Sequence, residues 1–319
     1  MNILVWHVHG SWTTAFVQGP HTYLLPLVDD RGPNGRGRAR TWDWPANAVE
    51  VPVHELADAD IDVVVVQRPT ELVLCDQWLG GRRPGRDMPL VWVEHNAPQG
   101  RIDELHHPAA DRDDTLLVHV TATNDLLWDA GSTRTTVIEH GVADPGERWT
   151  GETRATAVAV NEPVRRGRVT GTDLLPRFGA AGPLQVMGMR ADALQDQLGA
   201  PSWLRTSEDL DQDQLHDEMA RCRCYLHPYR WTSLGLSLIE AMMLGMPVVA
   251  VGTLAVPDAV PAGCGLVSND VGELVAGVAR LLDDPVEGAE LGTAARRHAL
   301  DRWNVERFTA DWNQLLEEL

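Results

Sequence analysis

The chain has 319 residues and a formal net charge of −19, with 27 Lys and Arg against 46 Asp and Glu. That length exceeds what a single hydrophobic core usually serves, so two domains and a cleft between them are expected. The acidic balance excludes a nucleic-acid-binding surface made of excess Lys and Arg, and any anionic ligand must be held locally. The four cysteines, Cys75, Cys222, Cys224 and Cys264, are too few and too scattered for a disulfide framework. Cys222-Arg-Cys224 lacks the two-residue spacer of zinc pairs, so the thiols read as buried and structural, with no metal assigned. The first residues carry no basic leader, and no stretch approaches the ~18 apolar residues of a membrane span, so a cytoplasmic protein with no integral membrane segment is expected.

In chain order, short apolar runs at 3–8, 61–66, 90–93, 116–120 and 136–138 predict buried parallel strands separated by helical or turn-rich stretches. Residues 29–48 are dense in Gly, Pro and Arg and predict a long irregular surface loop. After a Pro- and Gly-bearing linker at 142–153 the pattern restarts, with strands predicted at 155–160, 184–187, 224–226, 247–251 and 265–267. Helices are predicted at 235–244, 271–282, 289–303 and 305–319. The fold class is therefore α/β, with two Rossmann-like doubly wound domains facing a cleft. The domains are placed at 1–145 and 154–302, followed by a C-terminal helix at 303–319. Ligands of such folds bind beyond the carboxyl ends of the strands, which directs attention to the loops there.

The most informative stretch runs from Tyr225 to Ala250 and reads strand, tight loop, helix, Gly stop, strand. Thr232 or Ser233 is the predicted helix cap, Gly245 ends the helix and Pro247 admits the next strand. The helix N-terminus offers unpaired N–H groups and the positive end of its dipole to a diphosphate, and Gly235 lets the backbone approach it. Glu240, on the second turn, can accept paired hydrogen bonds from vicinal sugar hydroxyls or can simply be tied to neighbouring backbone.

Gly235-Leu-Ser-Leu-Ile-Glu240-Ala-Met and Gly245-Met-Pro-Val-Val-Ala250 resemble the donor-binding motif of retaining GT-B glycosyltransferases of family 4 (group 1). The resemblance continues through Val256-Pro257-Asp258 and Gly263-Cys-Gly265. It implies a glycosyltransferase that moves a sugar from a nucleotide-diphosphate-sugar donor to an acceptor hydroxyl, with 1–145 on the acceptor side, 154–302 on the donor side and the helix at 303–319 crossing back to the N-terminal domain. In that family two glutamates eight positions apart contact the donor; Glu240 matches the one on the ribose, whereas Thr232 stands at the sugar-side position. The family's Arg and Lys phosphate clamp corresponds to Asn161–Leu175, where Thr170 takes the place of the Lys and Arg165, Arg166 and Arg168 lie just upstream. Arg166 and Arg168 are the expected clamp, against the plainer reading of a solvated basic loop. Trp6–Thr14 resembles the glycine-bearing loop near donor phosphate, with Gly10 and Ser11, although a lone Gly after a strand is also a plain turn. Glu94-His95-Asn96 resembles the element carrying a His near the transferred sugar, and Glu139-His140-Gly141 the element before the inter-domain linker.

The site implied by the resemblance comprises Gly10, Ser11, Arg166, Arg168, Arg230, Thr232, Ser233, Leu234, Gly235, Leu236 and Glu240, with His95 and Glu240 at the chemistry. It implies front-face transfer with retention, no metal and no cofactor beyond the nucleotide-sugar substrate. Two alternatives remain: a degenerate nucleotide- or sugar-binding relative without transfer, and a sugar-nucleotide epimerase or phosphorolytic enzyme on the same fold. Most of the 12 tryptophans share no spacing of a stacking platform and read as packing.

Overall fold

The computed structural model describes all 319 residues. They form two compact units, Met1–Ala143 together with Val305–Leu319, and Asp144–Asn304. The first unit runs β1 (Asn2–Val5), α1 (Gly10–Phe16), β2 (Thr22–Leu27), β3 (Ala48–Pro52), β4 (Val63–Val66), α2 (Pro69–Trp78), β5 (Leu90–Glu94), β6 (Leu116–His119), α3 (Ala122–Leu127) and β7 (Arg134–Val137). The second begins with β8 (Thr153–Ala159), α4 (Pro163–Arg166), α5 (Leu175–Gly179), β9 (Leu184–Met187), α6 (Ala193–Leu198) and β10 (Leu204–Ser207). It continues with α7 (Gln212–Arg221), β11 (Cys222–His227), α8 (Leu236–Met243), β12 (Val248–Val251), α9 (Val256–Ala259), β13 (Gly265–Ser268), α10 (Val271–Asp283) and α11 (Pro285–Trp303). The last helix, α12 (Val305–Glu317), returns to the first unit.

Each unit is a parallel sheet of doubly wound topology. The first sheet is ordered β3-β2-β1-β4-β5-β6-β7 and the second β10-β9-β8-β11-β12-β13. The strand order reverses between β1 and β4 in the first and between β8 and β11 in the second. These are the points where loops leave the strand ends in opposite directions and open a crevice. The central strands are covered on both faces, which is why Val63–Val66 and Val248–Val251 are apolar throughout and buried.

Three strands escape the reading of apolar runs. β2 contains Pro26, which is tolerated because the β1 partnership ends at Leu24 and Pro26 pairs only with Val51 of β3. β3 and β10 are edge strands, partly exposed and interrupted by Glu50 and Arg205. β1 ends at Val5, so Trp6 to His9 form the loop into α1 instead of continuing the strand to residue 8.

Residues 29–47 are irregular but anchored. Arg31 makes a fork to Glu50 at 2.7 and 3.0 Å, and Arg38 donates to the carbonyls of Pro45 at 2.9 Å and Ala48 at 2.6 Å. The stretch expected to link the domains is likewise tied down, and to the second unit. Arg148 and Trp149 donate backbone N–H groups to Leu244 O, Thr150 and Gly151 donate to Ala220 O, and Asp144 pairs with Arg296 at 2.8 Å.

Candidate functional site

The loops that leave β8 and β11 meet at the switch point of the second sheet. The β11 end is stiff: Tyr225, His227 and Tyr229 are buried, and the His227 ring stacks on Tyr229 with centroids 4.5 Å apart. Tyr229 donates its hydroxyl to Ala159 O at the end of β8, at 3.2 Å, which ties the two strand ends together. Burial drives the His227 pKa down to about 3, so the ring is neutral, and its buried Nε2 has no hydrogen-bond partner.

Helix α8 starts at Leu236 with Gly235 as its N-cap and no side-chain cap bond. Neither Thr232 nor Ser233 caps it, contrary to the expectation from the sequence, because the loop runs two residues further before the helix begins. Ser233 and Leu234 are buried, while Thr232 and Leu236 are half-buried. Gly235 brings no side-chain acceptor of its own to the first turn of α8, whose Leu238 N bonds Gly235 O at 3.0 Å, and a helix N-terminus at a switch point suits an anionic oxygen. A glycine is needed at 235, since an added Cβ would lie 2.4 Å from His227 Cε1.

The loop after β8 supplies the cations. It turns through Glu162, which sits in the left-handed region at φ 53°, into α4 and two successive 3-10 turns. Arg165 pairs with Glu162. Arg166 lies over the Tyr229 ring with its guanidinium carbon 5.7 Å from the centroid. Arg168 and Arg230, from the two different loops, share one carboxylate. Arg168 donates to Asp173 Oδ2 at 3.0 Å, and Arg230 makes a fork to Asp173 at 2.5 and 2.9 Å. These cations hold the Asp173 carboxyl below its usual range, Arg230 most strongly. Thr170, where the resemblance places a lysine, is buried and its hydroxyl is bonded to Gly167 O and Thr172 Oγ1, so it offers nothing to a ligand.

Glu240 is 5% exposed on the second turn of α8, with Oε2 3.7 Å from Nε2 of His216 on α7. His216 is a residue that sequence reading did not single out. Its own element, α7, is strongly amphipathic, and its place on the buried face was the available signal.

Three predicted residues lie in the first unit. Gly10 and Ser11 open α1, whose N-cap is His9, and an added Cβ at Gly10 would strike the Trp42 indole at 2.4 Å. His95 follows β5 on a turn fixed by Glu94, which accepts from Asn96 N at 2.6 Å and from His107 Nε2 at 3.0 Å. Ala109 N donates to His107 Nδ1, so the proton of that ring is on Nε2. The His95 ring lies 4.1 Å from His9 and 6.3 Å from His140, centroid to centroid, and meets Trp12 edge-on at 5.1 Å. Burial first, and then the neighbouring His9 and His140 rings, push the His95 pKa well below its ordinary value. The remaining predicted residues, Arg166 to Glu240, gather at the switch point of the second unit. Among all residues no group of three His, Cys, Asp or Glu side chains is arranged to hold a metal ion, and the four cysteines are free and buried. No helix is long and apolar enough to cross a membrane.

Comparison with known proteins places this geometry. Structures similar over the whole chain include sucrose-phosphate synthase from Thermosynechococcus elongatus, at a TM-score of 0.74 and 15% identity, covering 100% of this chain and 98% of that one. Anabaena Alr3699/HepE in complex with UDP-glucose is similar at a TM-score of 0.73 and 15% identity, with both chains fully covered. The fold is GT-B. Residues 180–284 match the family model described as glycosyl transferases group 1. That span holds Arg230 to Glu240 and leaves Arg166, Arg168 and Asp173 outside it. Two curated relatives match shorter segments. The MMP alpha-(1->4)-mannosyltransferase of Mycolicibacterium hassiacum is 35% identical over 118 residues, 36% of this chain and 29% of the relative. A GDP-mannose-dependent monoacylated alpha-(1-6)-phosphatidylinositol monomannoside mannosyltransferase of Corynebacterium glutamicum is 37% identical over 75 residues, 23% of this chain and 20% of the relative. The aligned segments thus span less than a third of either relative.

Proposed function

We propose that the chain is a nucleotide-sugar-dependent glycosyltransferase that transfers a hexosyl group with retention and without a metal ion. One observation carries this reading: the glycine-capped N-terminus of α8 and the arginines of the loops after β8 and β11 belong to the same switch point of the second sheet, and α8 lies within the segment that matches the group 1 model. Helix dipole and guanidinium groups together supply the positive potential that a departing diphosphate needs. In the reaction the bond from the sugar anomeric carbon to the donor phosphate breaks. A bond to the acceptor oxygen forms on the same face, and the acceptor proton passes to the leaving phosphate oxygen. Glu240 holds the nucleotide ribose, and the backbone from Ser233 to Leu236 meets the diphosphate. The Corynebacterium glutamicum relative, GDP-mannose-dependent by name, and the neighbour solved with UDP-glucose make those two donors the first to test.

The test is a mass-spectrometric screen of UDP- and GDP-sugars with and without a mixture of glycan and lipid-linked acceptors, run in parallel with EDTA. Consumption of one donor, a product heavier by one hexose, release of the nucleoside diphosphate and indifference to EDTA are expected. Nucleotide binding with no donor consumed under any condition would leave a binding protein, and conversion of the donor without acceptor would indicate an epimerase.

A further inference from the structure

The two loops of the switch point are welded together at one spot. Arg230 N and Trp231 N donate to Val169 O at 2.9 and 3.2 Å, and Arg230 Nη1 reaches Arg168 O at 3.1 Å. Gly171, at φ 72°, approaches so closely that an added Cβ would lie 1.9 Å from Pro228 O. From the other side Thr253 donates its hydroxyl to Tyr229 O at 3.0 Å. The result is a fixed seat on which two guanidinium groups share the single carboxylate of Asp173, while Arg166 beside them has Tyr229 and no carboxylate partner. Positive charge therefore exceeds negative charge here, in a chain whose overall balance is strongly acidic. Arg230 is also the less exposed of the pair, its side chain 27% exposed against 77% for Arg168. A half-buried guanidinium held by a fork keeps its remaining N–H groups pre-oriented, which a solvated arginine does not.

Resting on the function proposed above, we infer that Arg230, seated by Asp173, is the principal diphosphate-binding cation of this site, and that Asp173 is a positioning residue acting through it. The cation then comes from the β11–α8 loop, since Thr170 is turned into the fold, Arg168 is largely solvated and Arg166 is laid over the Tyr229 ring with no carboxylate to orient it. The ligand class is a nucleoside diphosphate, and the recognised part is the diphosphate itself.

Calorimetric titration with UDP, GDP, the corresponding nucleosides and inorganic pyrophosphate tests this on the full chain. Arg230→Gln should weaken the preferred nucleoside diphosphate and pyrophosphate at least tenfold and leave nucleoside binding within about twofold, with Arg230→Lys in between. Asp173→Asn should weaken the diphosphate to a similar degree, yet cost no more than about threefold when added to Arg230→Gln, because its effect passes through the arginine. Arg168→Gln should cost less than Arg230→Gln. Wild-type-like diphosphate binding by Arg230→Gln overturns the inference. So does an equal loss of nucleoside and diphosphate binding, which would make Arg230 a structural tie, and so does full additivity of the two substitutions. Failure of the wild-type chain to bind any of these ligands would instead overturn the function on which the inference rests. Thermal melts of each variant separate a lost ligand contact from a lost fold.

Discussion

Gly235 and His227 are packed so that the ring of one occupies the place a side chain of the other would take: an added Cβ at 235 falls 2.4 Å from Cε1 and 3.1 Å from Nε2 of the imidazole. The ring cannot retreat easily, because it is fully buried and stacked on Tyr229. The backbone at Gly235 has φ −72°, which an alanine adopts without strain, so any cost of Gly235→Ala comes from this overlap alone. We expect Gly235→Ala to destabilise by about 1–3 kcal/mol in urea unfolding. Shortening the ring with His227→Ala in the same chain should recover part of that loss. A Gly235→Ala protein as stable as the parent would show that the imidazole yields, and that the glycine is there for the ligand.

Glu240 combines burial with a place one turn from the start of α8, and the two roles open to it differ in what a substitution changes. As the ribose acceptor it makes a charge-assisted hydrogen bond, so Glu240→Gln should weaken nucleoside binding by about 1.5–3 kcal/mol, visible by calorimetry with the nucleoside alone. As a partner only for His216, which lies 3.7 Å away, it should affect unfolding and leave the nucleoside affinity unchanged. Glu240→Gln that binds nucleoside like the parent, with lowered stability, would sink the ribose assignment.

The three imidazoles at the strand ends of the first unit predict how stability varies with pH. Burial lowers the His9 pKa to about 4 and the His140 pKa to about 3, and places that of His95 well below its ordinary value. For His9 the nearby Glu94 opposes the shift and Arg68 adds to it, while Arg307 adds to that of His140. Folded-state values below the unfolded value of about 6.5 mean that the unfolded chain binds the extra protons. The stability these rings contribute is therefore complete above about pH 6.5 and is lost as pH falls toward 4, at about 1.4 kcal/mol per pH unit for each proton. Urea unfolding between pH 7 and 4.5 should show this slope, and His140→Asn should reduce it by close to one proton. An unchanged slope in His140→Asn would mean that this ring takes up its proton in the folded state as readily as in the unfolded one.

The legible part of the molecule was the part whose chemistry is local. Buried central strands such as Val63–Val66 are apolar without interruption, and the Gly235 to Pro247 segment carries its helix stop and strand entry within three residues. The edge strands β3 and β10 lack that signal, because polar residues, Glu50 in the one and Arg205 to Ser207 in the other, interrupt their apolar runs. Thr232 and Ser233 are good capping residues by type, but the tie of Arg230 and Trp231 to Val169 O carries the loop further, and α8 begins only after Gly235. The cations of the β8 loop are recognisable as a group, whereas the sharing of Asp173 by Arg168 and Arg230 joins Arg230 to a carboxylate 57 positions away and exists only in three dimensions.

The aromatic cluster of the first unit supplies a test of how the final helix contributes to that unit. Phe308, Trp312 and Leu316 are buried at spacings of four along α12, and the Trp312 ring lies 4.9 Å from Phe16 and 5.9 Å from Trp12. Gly141 is packed so tightly beneath this helix that an added Cβ would lie 2.5 Å from Phe308 Cβ, and Arg307 donates to Glu139 O at 3.1 Å and His140 O at 2.6 Å. Truncating a buried tryptophan removes its transfer free energy and leaves a cavity, so Trp312→Ala should destabilise the first unit by about 3–5 kcal/mol, and Trp312→Phe by distinctly less. Because α12 packs with residues 1–143, hydrogen exchange in Trp312→Ala should accelerate in the peptides of β1, α1 and β7 while those of residues 144–304 keep their protection. Uniform acceleration across both units would mean that the whole chain unfolds as one cooperative body. Faster exchange confined to residues 305–319 would show that the helix rests on the unit without supporting it.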